Sequence, residues 1–211
     1  MNASLPRRSF YYIRHGESEW NVLGRFAGGN VDTPLTERGR CQAENIRPLF
    51  KILSPSPTHI IHSPLSRAAD TAKILNHKRR YPMIEEYDLR EIMAGDWEGI
   101  PYMDARQRWA DGQSPPNGEN LDMLAKRMKG IFTKILSNPN YEMPFIAAHG
   151  RLLNGLDHLF GIAPRSLQIE NCQLLKFAPT ENISKHYPFD VYSLSMEEGH
   201  IHEEPAPWSQ I

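Results

Sequence analysis

Residues 11–17 read YYIRHGE and residues 145–151 read FIAAHGR. Each joins a short apolar run to a histidine and a glycine where the run ends. The runs Ser9–Ile13 and Pro144–Ala148 have the composition of buried strands. Working outward from these units, Thr58–His62 is a third strand by the same signal. The intervening stretches carry helical spacing. Thr36–Leu53 places Ile46, Leu49, Phe50 and Leu53 at i, i+3, i+4 and i+7, with Thr36 as N-cap. Ser63-Pro64 looks like a cap followed by proline in the first turn, opening a helix with Leu65, Ala68, Ala69, Ala72 and Leu75 on one face. Glu119–Leu136 and Arg151–Phe160 are further helices. Cys172–Phe177 and Asp190–Ser195 are further strands. Strands alternating with helices predict a three-layer α/β/α fold with a mainly parallel central sheet.

The chain is 211 residues long, which fits one domain, 1–211, with a core over about 9–195 and a loosely ordered polar tail over about 196–211. Hydrophobic residues make up 40% and charged residues 23%, enough apolar material for a sizeable core and against whole-chain disorder. A net charge of −1 argues against a general nucleic-acid or membrane-surface binder but leaves room for a local basic pocket. Cys41 and Cys172 stand far apart and form no CxxC pair, so neither a zinc site nor a disulfide framework is expected. No signal-peptide pattern and no apolar run long enough for a membrane span is present, so a cytoplasmic protein is expected. Residues 82–117 are irregular apart from a helical segment near Tyr102–Trp109.

In an open α/β sheet, ligands bind beyond the carboxyl ends of the strands. His15 and His149 both fall there. The glycines that follow them, Gly16 and Gly150, let backbone approach a ligand. Arg14 adjoins His15, and Arg67 lies in the first turn of the helix after Ser63-Pro64. A guanidinium is a planar fork that matches phosphate oxygens, and a helix start adds free N–H groups. Alone, a His-Gly pair is a turn and Arg67 is a solvated helix residue; together the four side chains point to an anionic phosphoryl site. Competing motifs fail. The chain has no GxxxxGK[ST], no GxGxxG and no HExxH. His200 and His202 beside Glu203 and Glu204 read as a solvated tail before a metal site, and no metal is expected. The run His77–Arg80 reads as a solvated helix end.

RHGESEWN (14–21), LTERG (35–39), HSPLSRAADTA (62–72), LREIMAGDWEG (89–99) and AAHG (147–150) resemble, in order, the motifs of the histidine phosphatase superfamily, which includes phosphoglycerate mutases and many phosphatases. The resemblance spans about residues 9–178. It implies that His15 is the nucleophile and that Glu91 is the general acid, with Glu86 and Glu98 as nearby competitors. Arg14, Arg67 and His149 would hold the phosphoryl oxygens, with Asn21, Ala27, Gly28 and Gly150 on the substrate side. The activity implied is a metal-independent phosphomonoesterase of the histidine acid phosphatase type, working without a cofactor on a small phosphorylated metabolite. The alternative is a phosphoglycerate mutase, which would need 2,3-bisphosphoglycerate. A third reading is a non-catalytic phosphate-binding protein. Neither nucleic acid nor membrane is an expected partner, and a homodimer is left open. The mutases that the sequence resembles carry a tyrosine where Ala94 stands, a hydroxyl residue at Ala27, and adjacent arginines in a longer insert where this chain has only Arg106 and Arg108. These departures favour the phosphatase. Arg106, Arg108, Trp109 and the loop Pro115–Asn120 are expected to shape specificity.

Overall fold

A computed structural model describes residues 4–78, 81–162, 169–182 and 187–206. The first strand, β1 (Phe10–Arg14), is followed by the short helix α1 (Glu19–Val22) and by α2 (Glu37–Ile52). Next come β2 (His59–His62), α3 (Ser66–Leu75), β3 (Met83–Glu85), α4 (Tyr102–Ala110) and α5 (Leu121–Ser137). The chain continues through β4 (Pro144–Ala148), α6 (Leu152–Leu159), β5 (Leu174–Pro179), β6 (Phe189–Glu197) and β7 (His200–Pro205). The sheet order is β3-β2-β4-β1-β5-β6-β7. The strands β3, β2, β4 and β1 pair in parallel, and β5, β6 and β7 extend the sheet antiparallel from β1.

The layering follows from side-chain alternation. In β1, Phe10 and Tyr12 face a cluster built with α5 and α6, whereas Tyr11 and Ile13 face one built with α2 and α3. A central parallel strand is covered on both faces and so reads as continuously apolar. Along α5, Leu124, Met128, Ile131 and Ile135 are all essentially excluded from water, and each such burial stabilises by about 1.5–3 kcal/mol. Thr36 caps α2 by accepting from Gly39 N at 3.0 Å, and Asn120 caps α5 by accepting from Met123 N at 2.9 Å.

The structure corrects four readings. The third helix begins at Ser66 with Leu65 in the capping position, because the Ser63 hydroxyl is used elsewhere and takes only a 3.3 Å bond from Leu65 N. Glu119 lies outside α5, since its backbone N–H goes to Met93 O at 2.7 Å. Residues 83–85, read as irregular, pair with β2. Much of the tail read as loosely ordered is a hairpin: β6 runs on to Glu197 and turns through Glu198 and Gly199, both with positive φ, into β7. A two-residue turn of this kind needs φ > 0 at both positions. The strand expected over Asp190–Ser195 is β6, but β7 escaped detection because it is mostly exposed and carries no apolar alternation. Of the basic run, Arg79 and Arg80 lie outside the described residues, as do residues 207–211 of the tail.

Candidate active site

Three adjacent parallel strands end in line, and the residues that follow them form the floor of the site. His15 follows β1, His149 follows β4 and Ser63 follows β2. His15 N donates to Ala148 O at 3.0 Å, which fastens the first turn to the central strand. The His15 and His149 rings lie 5.1 Å apart and are buried. His15 Nδ1 lies 2.7 Å from Gly16 O. A carbonyl only accepts, so Nδ1 carries the proton and Nε2 keeps its lone pair. His149 Nε2 lies 2.8 Å from Ser63 Oγ, while its Nδ1 is buried with no partner among the described residues.

Burial holds the pKa of both histidines well below the usual range. Arg67 and then Arg14 add to the effect at His15; Arg67, His15 and Arg14 add to it at His149. Both rings are therefore neutral near pH 7. Arg67 is almost fully buried and donates to Gly28 O at 3.0 Å and Val31 O at 3.1 Å. Burial pushes its pKa down to about 10, so it keeps its charge at neutral pH. Arg14 Nη1 donates to Ile169 O. Asn21 Oδ1 accepts from Ser18 N at 3.1 Å and from Asn171 Nδ2 at 3.2 Å, which leaves the Asn21 amide N–H groups as its donors.

Glu91 is buried beside this cluster. Its carboxylate accepts from Ile92 N at 2.9 Å and from Arg151 N at 3.3 Å. The segment is braced from behind. Arg127 donates to Asp88 O, Arg90 O and Glu91 O and pairs with Glu119 at 2.6 Å, and Glu119 in turn accepts from Met93 N. Neither competitor carboxylate stands here: Glu86 pairs with Lys134 at 2.6 Å, and Glu98 accepts from Asn30 N at 3.1 Å.

Arg14, His15, Asn21, Arg67 and Glu91 share a cavity of about 440 Å³, together with Ala27, Gly28 and Gly150. His149 does not itself line the cavity and lies against His15, with the ring centres 5.1 Å apart. Arg106 and Trp109 also line the cavity, but Arg108 instead lies over the Trp97 ring at 5.6 Å. The loop Pro115–Asn120 packs under Met93–Gly95 and supports the Glu91 segment, because Asp96 N donates to Pro116 O and Glu119 binds Met93 at both ends. Gly16 has a reason different from the one expected: a Cβ there would stand 2.5 Å from Gly39 O. The glycine of the RHG turn and that of LTERG thus permit the turn to pack on α2. Ala94 is fully buried, where a Cβ on Gly28 would meet it at 2.7 Å. Sequence reasoning missed Arg25, Tyr102, Arg151 and Asn154 as lining residues. Arg151 alone had a signal, as the residue after the second His-Gly pair. His202 faces Glu197 at 3.8 Å on the exposed hairpin, and among the described residues no three His, Cys, Asp or Glu side chains are grouped so as to hold a metal ion. Among the described residues no helix is long and apolar enough to cross a membrane.

Neutral imidazoles and charged guanidiniums lie together at the ends of parallel strands, so this is an α/β domain with a cationic pocket. The chain belongs to the histidine phosphatase superfamily (branch 1), whose pattern matches residues 10–184. It is 34% identical over 179 residues to the probable phosphoglycerate mutase GpmB of Proteus mirabilis (strain HI4320), covering 78% of this chain and 81% of the relative. The corresponding protein of Yersinia pestis (strain Pestoides F) is 33% identical over 178 residues with the same coverage. Among solved structures, the alpha-ribazole phosphatase from Shigella flexneri superposes with a TM-score of 0.70 at 26% identity, over 82% of this chain and 91% of that one. A mycobacterial glucosyl-3-phosphoglycerate phosphatase superposes with a TM-score of 0.71 at 25% identity, over 88% and 96%.

Proposed function

We propose that the protein is a phosphomonoesterase that works through a phosphohistidine on His15. The observation that carries this reading is the His15 ring itself, neutral by burial and fixed by its Nδ1–H bond to Gly16 O, so that Nε2 is ready to attack without first losing a proton. Nε2 bonds to phosphorus as the ester P–O bond breaks. Glu91, in its protonated form, gives its proton to the leaving oxygen. Arg14, Arg67 and His149 hold the phosphoryl oxygens as charge develops, and Asn21 adds a neutral donor. Glu91, now ionised, then takes a proton from water, whose oxygen attacks phosphorus and releases phosphate from His15. No step uses a metal ion or cofactor. The substrate expected is a small phosphorylated metabolite.

Phosphoglycerate mutase is kept as a second reading because the relatives at 33–34% identity carry that name. Two measurements separate the readings. Phosphate release from a panel of monoesters is compared with interconversion of 3- and 2-phosphoglycerate primed by 2,3-bisphosphoglycerate. Hydrolysis of at least one panel member is expected to exceed the interconversion; mutase turnover a hundredfold above every hydrolysis would overturn the phosphatase reading. In parallel, mild alkaline quench and mass spectrometry are expected to find phosphate on His15. His15→Ala is expected to lose the adduct and at least about 10³-fold in rate. Full activity in that variant would remove His15 from the reaction.

A further inference from the structure

The charges that line the cavity exceed what one phosphoryl group needs. Five arginines face a single carboxylate there, in a chain of net charge −1. Arg14 and Arg67 serve the phosphoryl end. Arg25, Arg106 and Arg151 line the cavity as well. Arg25 is committed in part to Gly99 O at 2.6 Å. Arg151 is held differently. Its backbone N–H reaches Glu91, so its Cα is fixed beside the leaving-group oxygen that Glu91 would protonate. Its guanidinium carbon lies 5.2 Å from the Phe26 ring centre, 5.5 Å from Trp109 and 5.9 Å from Tyr102.

Rings that flank a guanidinium hold its faces by cation–π attraction and leave its N–H edge to bond. The Nε of Arg151 is buried and has no acceptor among the described residues. A buried donor without an acceptor is costly, and a ligand oxygen would relieve it. A planar fork prefers a carboxylate or phosphate, which it can meet with two parallel bonds.

We propose that Arg151, seated in the cage of Phe26, Tyr102 and Trp109, binds a second acidic group on the leaving-group side of the substrate. The inference rests on the phosphomonoesterase reading and names its substrate class: monoesters whose alcohol portion carries a carboxylate or a further phosphate. Ala94, Ala27 and the non-adjacent Arg106 and Arg108 stand where the mutases that the sequence resembles carry other groups; here the second grip comes from the start of α6.

The test uses three matched series of two to five carbons: alkyl phosphates, ω-carboxyalkyl phosphates and alkanediol bisphosphates. For the intact protein, kcat/KM is expected to favour one acidic series over the alkyl series by about 10- to 100-fold at its best chain length, the worth of a charge-assisted pair. Which acidic series wins identifies carboxylate or phosphate. Arg151→Gln is expected to bring that ratio to within threefold of unity, and Arg151→Lys to restore part of it. Titration of the matching non-hydrolysable phosphonates into the same proteins reads the site without turnover. If no ester is hydrolysed but the acidic phosphonates bind at least tenfold tighter through Arg151, the subsite stands and the hydrolase reading falls. Equal affinity for acidic and neutral phosphonates, or a preference that survives in Arg151→Gln, overturns the subsite and leaves Arg151 as packing for the aromatic rings.

Discussion

The two ends of the cavity are built in opposite ways. At the phosphoryl end every charged or titratable group is fastened to backbone or to a buried side chain: His15 to Gly16 O, Arg67 to Gly28 O and Val31 O, Arg14 to Ile169 O, and His149 to Ser63 Oγ. At the leaving-group end Arg25 donates to Gly99 O, but Arg151 lies among three rings and Arg106 is exposed. The difference teaches where chemistry and specificity reside. A group that must meet a reacting atom within a fraction of an ångström is held by the strand ends and their turns. The groups proposed to choose among substrates sit on α4 and at the start of α6, where a side chain can change without disturbing the sheet.

Glu91 stands between the ends, so its substitution gives the largest effect that tells them apart. Glu91→Gln keeps the shape and cannot deliver a proton. Alkyl phosphates, whose alkoxide leaves poorly, are expected to lose about 10²- to 10⁴-fold in kcat, the usual worth of general acid catalysis. For p-nitrophenyl phosphate, whose phenolate leaves without help, the first step is expected to lose at least tenfold less than that. A pre-steady-state burst of nitrophenol separates this step from hydrolysis of the phosphohistidine. Equal losses on the alkyl phosphates and in the nitrophenol burst would place Glu91 with the groups that only position.

The phosphoryl end was legible in the sequence because its parts are local. Strand, histidine and glycine are consecutive, and Arg67 follows from a helix that starts shortly after the end of β2. The brace behind Glu91 was not legible. Arg127 and Glu119 reach it from different segments, and only the folded chain brings the guanidinium to Glu91 O at 3.3 Å. The cage around Arg151 was invisible for the same reason, since Phe26, Tyr102 and Trp109 are distant from it in sequence. The loop at 115–120 was misassigned to specificity because irregular sequence marks a loop but not the side on which it packs. The strand β7 was missed because an exposed edge strand buries too little to show an alternating pattern.

A smaller effect tests how firmly the phosphoryl end is closed. His15 and His149 have folded pKa values held well below about 6.5 by burial, with the nearby arginines adding. The unfolded chain takes up protons at these positions as pH falls through about 6.5, while the folded chain does not. Protons therefore favour unfolding, and stability is highest above pH 7 and falls below it. Each histidine kept neutral contributes about 1.4 kcal/mol of loss per pH unit in that window. Urea midpoints between pH 7.5 and pH 5 are expected to show this slope, and His15→Asn to flatten it by one proton's share. An unchanged slope in His15→Asn would mean that the His15 imidazole protonates in place and that the end is wetter than its burial indicates.

The smallest effect leaves activity untouched and reads the same closure from underneath. Cys172 lies beneath the phosphoryl end: its backbone N–H donates to Arg14 O at 3.0 Å, and its side chain is buried. Burial pushes its thiol up to about 12, against a weaker opposing pull from Arg14. At pH 8 only about one molecule in 10⁴ then carries the thiolate, which is the species that reacts. Cys41, on the outer side of α2, is exposed. Iodoacetamide at pH 8 is therefore expected to add one label per folded chain, at Cys41, with no change in the proposed activity, and two per chain in urea. Peptide mapping identifies the site. Labelling of Cys172 in the folded chain at a rate within tenfold of Cys41 would show that the turn from β1 through His15 opens readily. The contrast between a fastened chemical end and an adaptable specificity end would then fail at the place where it is drawn most strongly.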